Sequence, residues 1–225
     1  MLSTTFARST RCIRPGFRTP TLFLHSSRTV ATLPSNPHIF VHKHPIDPSA
    51  SLLSLLPTTP PNQKLAIGAC TSLPPTPQNF TTNNDFLSIL STVYARHAAA
   101  DPDVQSQAAV YGSPGGGVSL SSQPGDGAGG AMHQGGAGGA GHGGWLHVSD
   151  LRNPPDYGRI AWPEDILGSL EVDGSGAFVD GHGRWQDSGT YRVVTREGVL
   201  GLTDFMKGKM VERLRELEKE MQSAQ

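Results

Sequence analysis

From Gly112 to Gly144 the chain carries 15 of its 27 glycines, no Lys or Arg, one acid (Asp126) and few large apolar side chains. Glycine loses the most backbone freedom on ordering, and so little apolar surface cannot offset that loss. Residues 112–144 are therefore expected to form a disordered Gly-rich insert. It divides the packable chain into an N-terminal part, 34–111, and a C-terminal part, 145–225 with a terminal helix. Two separate domains of that size would struggle to bury a core. The expectation is a single α+β domain with a small mixed or split sheet, assembled from both parts.

The insert contains three matches to GxGxxG, beginning at Gly125, Gly136 and Gly139. That pattern has physical meaning only between a buried strand and a helix N-terminus, where glycines let the backbone approach a pyrophosphate. Here Pro, Ser and Gly precede it and the strand-like Trp145-Leu-His-Val148 follows, so low complexity explains the matches. No Gly-Lys-Ser/Thr occurs. No cofactor is expected.

In the N-terminal part, His38-Ile-Phe-Val41 and Lys64-Leu-Ala-Ile-Gly-Ala69 read as buried strands, spaced so that they could pair in parallel. Leu52 to Leu56 between them suggests one or two helical turns. Leu73-Pro-Pro-Thr-Pro77 is a stiff loop, because each proline fixes its own φ and restrains its predecessor. Asn83 or Asn84 is expected to cap a helix near 84–99, with Phe86, Ile89, Leu90, Val93 and His97 on one stripe. In the C-terminal part, Leu170–Val172, Ala177–Val179 and Thr190–Val194 read as short antiparallel strands. Gly174, Gly176, Gly181, Gly183 and Gly189 punctuate them. A last helix runs from a cap at Thr203 to about Met221, with Phe205, Met206, Met210, Leu214 and Leu217 as its apolar face.

The first 46 residues contain no acid, and Arg8, Arg11, Arg14, Arg18 and Arg28 are spaced through Ser, Thr and apolar residues. This is the composition of a mitochondrial transit peptide, expected over residues 1–33 with cleavage between Arg28 and Pro34. The apolar run Thr21–Leu24 is too short for a secretory core, and no later window offers the ~18–20 apolar residues of a membrane span. The expected location is the mitochondrion, in its matrix, with peripheral membrane contact left open. The full chain has 18 basic and 19 acidic residues. Removing residues 1–30 takes five Arg and no acid, leaving 13 against 19 and a formal net charge of −6. An acidic chain lacks the electrostatic footprint of general nucleic-acid binding. Of Cys12 and Cys70 only the second survives cleavage, which excludes a disulfide within the processed chain, a CxxC pair and a cysteine zinc site.

The densest polar cluster is His147, Asp150, Arg152, Asp156, Tyr157, Arg159, Glu164 and Asp165, in a Pro-braced loop. Its candidate binding residues are His147, Asp150, Arg152, Asp156 and Arg159. Either arginine could grip a carboxylate or phosphate bidentately, and Asp150 with His147 could form an acid/base pair. The competing reading is an ordered loop whose Arg and Asp satisfy one another. Asp173-Gly-Ser-Gly176 and Asp180-Gly-His-Gly183 offer fewer carboxylates than an EF-hand needs, and tight turns account for them. His38, His42 and His44 lack a metal-binding arrangement, and histidine as a surface polar residue accounts for them. No metal is expected. Cys70 follows an apolar run and reads as a small buried residue.

Three further segments complete the pattern: Arg152-Asn-Pro-Pro-Asp-Tyr-Gly-Arg-Ile160 with Pro163-Glu-Asp-Ile-Leu-Gly168, Ser188-Gly-Thr-Tyr-Arg-Val193, and Glu197-Gly-Val-Leu-Gly-Leu202. Together with Leu73–Pro77, Phe80 and Phe86–Leu90 they resemble a fungal mitochondrial protein family of unassigned function, over about 38–104 and 145–217. The resemblance implies mitochondrial residence and carries over no catalytic residue. The function expected is a soluble accessory or assembly factor that binds other mitochondrial proteins. The alternative is a small enzyme or ligand-binding protein with its site at the 147–165 loop. A ribosome-associated role would need a basic patch that the sequence does not announce.

Overall fold

The computed structural model of the protein describes residues 31–111, 143–156 and 159–223. The candidate presequence up to Val30, most of the Gly-rich insert and Tyr157 lie outside the described residues. Among the described residues the fold is α+β, built of antiparallel sheets and three α-helices, the last of them C-terminal. Five strands follow one another as a meander: β1 (Ala31–Leu33), β2 (Asn36–Lys43), β3 (Ser51–Ser54), β4 (Gly68–Cys70) and β5 (Phe80–Thr82). Three more make a second sheet, β6 (Gly144–Ser149), β7 (Ile166–Val172) and β8 (Gln186–Asp187), and β9 (Val194–Thr195) pairs with β10 (Gly198–Val199).

Two expectations for the first sheet are corrected. Leu52–Leu56 does not form helical turns; its first half is β3, and β3 lies between β2 and β4. Val41 therefore faces Leu53, and Leu53 faces Gly68, so the strands expected to pair in parallel are second neighbours in an antiparallel sheet. Leu52 and Leu53 are both buried. A strand covered on both faces reads as a continuous apolar run, which periodicity cannot tell from a buried helical turn. Ala31–Leu33 pair with β2 and bury Leu33.

Helix α1 (Asn84–His97) starts as its cap predicts. Asn83 Oδ1 accepts from Asp85 N at 3.0 Å, and its Nδ2 reaches the carbonyls of Gln63, Lys64 and Ala66. Phe86, Leu90, Val93 and Tyr94 are the buried face, so Tyr94 takes the place expected for His97. Helix α2 (Pro102–Tyr111) is not among the expected elements. Its start is a buried Asp101, whose Oδ1 accepts from Asp103 N, followed by a proline at the first helical position. Helix α3 (Asp204–Ser223) is capped by Thr203, whose Oγ1 accepts from Met206 N at 3.1 Å. Thr203 also donates to Asp101 Oδ2 at 2.6 Å, joining the starts of α2 and α3 from opposite sides of the Gly-rich tract.

Ala177–Val179 is not the expected strand. Phe178 makes one bridge to Val172, and the chain then turns through Asp180, Gly181 and Gly183, all at positive φ. Residues held there cannot continue an extended run. Of Thr190–Val194, only Val194 enters a strand. One cluster of buried apolar side chains takes in Leu33, Leu53 and Phe86 from the first part and Leu146, Leu170, Met210 and Leu214 from the second. Burying side chains of this size stabilises by roughly 1.5–3 kcal/mol each. His42, expected at the surface, is buried on β2, with Nε2 3.0 Å from the Leu56 carbonyl. Cys70 is buried, as its apolar context predicts.

Candidate functional site: a sealed ion cluster and an open cleft

The ladder between β6 and β7 is regular from Gly144 to Val148 and then slips, Ser149 facing Ile166 after Val148 has faced Gly168. The slip releases the chain into the 150–165 loop. Asp150 N donates to Asp165 O at 2.8 Å, which draws the loop's two ends together. Between them lie Asp150, Arg152 and Asp165, whose side chains are 0%, 3% and 1% exposed.

Every polar atom of this cluster is engaged. Asp150 Oδ1 accepts from the backbone N–H groups of Arg152 (2.9 Å) and Gly201 (2.8 Å), and Oδ2 accepts from the Tyr191 hydroxyl (2.7 Å). Arg152 Nε donates to Asp165 Oδ1 at 2.7 Å, Nη1 to Val193 O and Nη2 to Glu164 O, each at 2.9 Å. Its guanidinium carbon stands 5.4 Å from the centre of the Tyr191 ring. Gly201 is required here, because a Cβ would run into the Arg152 backbone and Asp150. Burial raises the Asp150 pKa above its ordinary value, against the opposing pull of Arg152 and the bonds it accepts. Burial likewise lifts the Tyr191 phenol well above its usual range.

The five sequence candidates therefore part company. Asp150 and Arg152 meet in the cluster. His147 projects elsewhere, since strand alternation sends Leu146 and Val148 to the core and leaves His147 to bond Ser169 across the sheet at 2.7 Å. Burial pushes the His147 pKa down. No hydrogen bond joins His147 to Asp150 among those described. Asp156 and Arg159 are exposed, linked by Arg159 N to Asp156 O at 3.0 Å. The guanidinium of Arg152, with Nε, Nη1 and Nη2 all donating internally, is enclosed by the loop it supports. Nothing in the sequence ties Tyr191, Gly201 and the Val193 carbonyl to this cluster, because they reach it from 41 to 51 residues away through the β9–β10 hairpin and its approach.

Two features of the surface stand outside the cluster. Trp162 is 70% exposed and Leu151 is 46% exposed, both on the loop that the cluster locks. A cleft of about 420 Å³ opens between α1 and the β7–β8 edge. Neither this cleft nor a groove of about 650 Å³ between β2 and α3 is lined by His147, Asp150, Arg152, Asp156 or Arg159. Lys207 in the α3 groove has an acidic neighbour on the same helix, Asp204 at 2.6 Å. Asp173 turns its carboxylate inward onto Ser175 and the Ala177 N–H. Among the described residues no three His, Cys, Asp or Glu side chains converge as a metal site would require, and no helix is long and apolar enough to cross a membrane. Compared with protein-family models, curated proteins and solved structures, the chain matches none.

Proposed function

We propose that this protein is a mitochondrial accessory factor that acts by binding a partner protein, and that the 151–165 loop is the surface it presents. One observation carries the reading: an indole 70% exposed, Trp162, on a loop held by the buried Arg152 cluster. A large aromatic side chain left in water costs solvation free energy unless a partner covers it. A loop fixed beforehand loses little freedom on binding, and tryptophan is the residue type most enriched among binding hot spots. Trp162 is fixed at its own backbone too, its carbonyl accepting from Asp165 N at 2.8 Å and Pro163 following it. The apolar face of α3 is not the docking surface, since Met206, Met210 and Leu214 are spent on the core. The acid-free, Arg-bearing first 30 residues support the mitochondrial matrix as the place of action.

The test is native electrophoresis of the endogenous, C-terminally tagged protein from gently solubilised mitochondria, wild type against Trp162→Ala. The wild type is expected in a larger assembly with reproducible companions, and the variant is expected to lose about 30-fold in affinity for them, as truncating a hot spot does. Migration of the wild type at its own mass, or full retention of companions by the variant, overturns the reading.

A further inference from the structure

The cleft between α1 and the β7–β8 edge has the build of a small-molecule site, and its 420 Å³ falls in the range of roughly 300–1,000 Å³ typical of such sites. Its walls are aromatic and already fixed. Tyr94 on α1 and Trp185 before β8 stack with ring centres 5.4 Å apart and planes 29° from parallel. Trp185 lies directly over Gly168 of β7, where any side chain would collide with the indole, so the absence of a Cβ there seats the ring. Tyr191 lines the same cleft while its hydroxyl is held by Asp150 at 2.7 Å. Leu87, Leu90 and Leu167 supply the remaining apolar surface.

The polar side is as defined. Among the described residues Asp187 is the sole charged one lining the cleft, and no Lys, Arg or His accompanies it. Trp185 Nε1 donates to Asp187 Oδ1 at 2.9 Å and Ser91 Oγ donates to Oδ2 at 2.7 Å. Each oxygen so keeps a lone pair for another donor while the carboxylate is held in place. Among the described residues Asp187 makes no ion pair. A lone negative charge beside aromatic faces repels phosphates and carboxylates and attracts cations, both through the charge and through the ring quadrupoles.

We infer that this cleft binds a small planar aromatic amine in its cationic form, the ring against the Trp185 and Tyr191 walls and the ammonium on Asp187. This site is separate from the Trp162 surface and does not depend on it.

Three probes with one ring body separate charge from shape: tryptamine (cation), 3-methylindole (neutral) and indole-3-acetate (anion). Each is titrated into the ¹⁵N-labelled full chain while the Trp185 indole N–H and the Ser188 and Gly189 amides are followed by NMR. Tryptamine is expected to shift these resonances saturably, and to bind at least about tenfold more tightly than indole-3-acetate, as swapping attraction for repulsion at one carboxylate implies. In Asp187→Asn, whose own spectrum reports folding, the three affinities are expected to converge within about threefold. Absence of a saturable shift with tryptamine overturns the inference. So do shifts confined elsewhere, equal binding of all three probes by the wild type, or a preference that survives Asp187→Asn.

Discussion

The Arg152 cluster and the α1–β8 cleft use similar parts, a carboxylate set among aromatic rings, and share Tyr191 as a common wall. In the cluster, both carboxylates and the guanidinium are buried and every buried side-chain nitrogen and oxygen has a partner. In the cleft, Asp187 is exposed and takes one donor on each oxygen, from Ser91 and Trp185. The cluster is rich in charge yet chemically closed, whereas the cleft is poor in charge and open. Density of polar residues in a loop thus marks what holds the loop, and availability is decided by enclosure.

Breaking the cluster should have the largest effect. Arg152→Ala leaves Asp150 and Asp165 buried without their cation, and a loss of about 3–5 kcal/mol is expected from urea unfolding at unchanged slope. A small loss would mean that water enters the cluster freely. Tyr191→Phe tests the shared wall. It removes one hydrogen bond to a buried carboxylate while keeping the ring, and should cost about 1.5–3 kcal/mol with the cleft's binding intact. Gly168→Ala forces Trp185 and the Gln186 carbonyl away from β7, at about 1–3 kcal/mol, and should displace the Trp185 indole N–H resonance. Asp187→Asn, by contrast, should change thermal stability by no more than about 0.5 kcal/mol, since the residue is exposed.

The smallest effect is one of pH. Burial holds the folded His147 imidazole below its ordinary value of 6.5. Between that value and the lower folded one the unfolded chain binds more protons, so stability is lost as pH falls from about 6.5. His147→Gln should flatten this part of the stability–pH curve, and an unchanged slope would show that the ring stays hydrated.

Local signals were legible wherever one short segment settles the matter. Asn83 and Thr203 begin helices because a side-chain oxygen beside a free N–H requires no distant partner. Gly176, Gly181, Gly183 and Gly189 adopt the positive φ their turns demand. The α1 stripe was legible apart from one turn, where Tyr94 rather than His97 faces inward to meet Trp185. Asp150, Arg152 and Asp165 were legible as a polar cluster, but their state was not. Whether Arg152 grips a ligand or its own loop depends on Val193, Tyr191 and Gly201.

The sequence by itself determined the α+β class, the starts of α1 and α3, the turn positions and the burial of Cys70, because each rests on periodicity, capping or backbone freedom within a few residues. Tertiary structure alone decided that Leu52 and Leu53 form a central strand, that His42 goes inside, and that Thr203 meets Asp101. It alone placed Trp185 over Gly168 beside Tyr94, which makes the cleft. Those outcomes depend on which surfaces far apart in the chain exclude water together, and a linear pattern carries no record of that pairing.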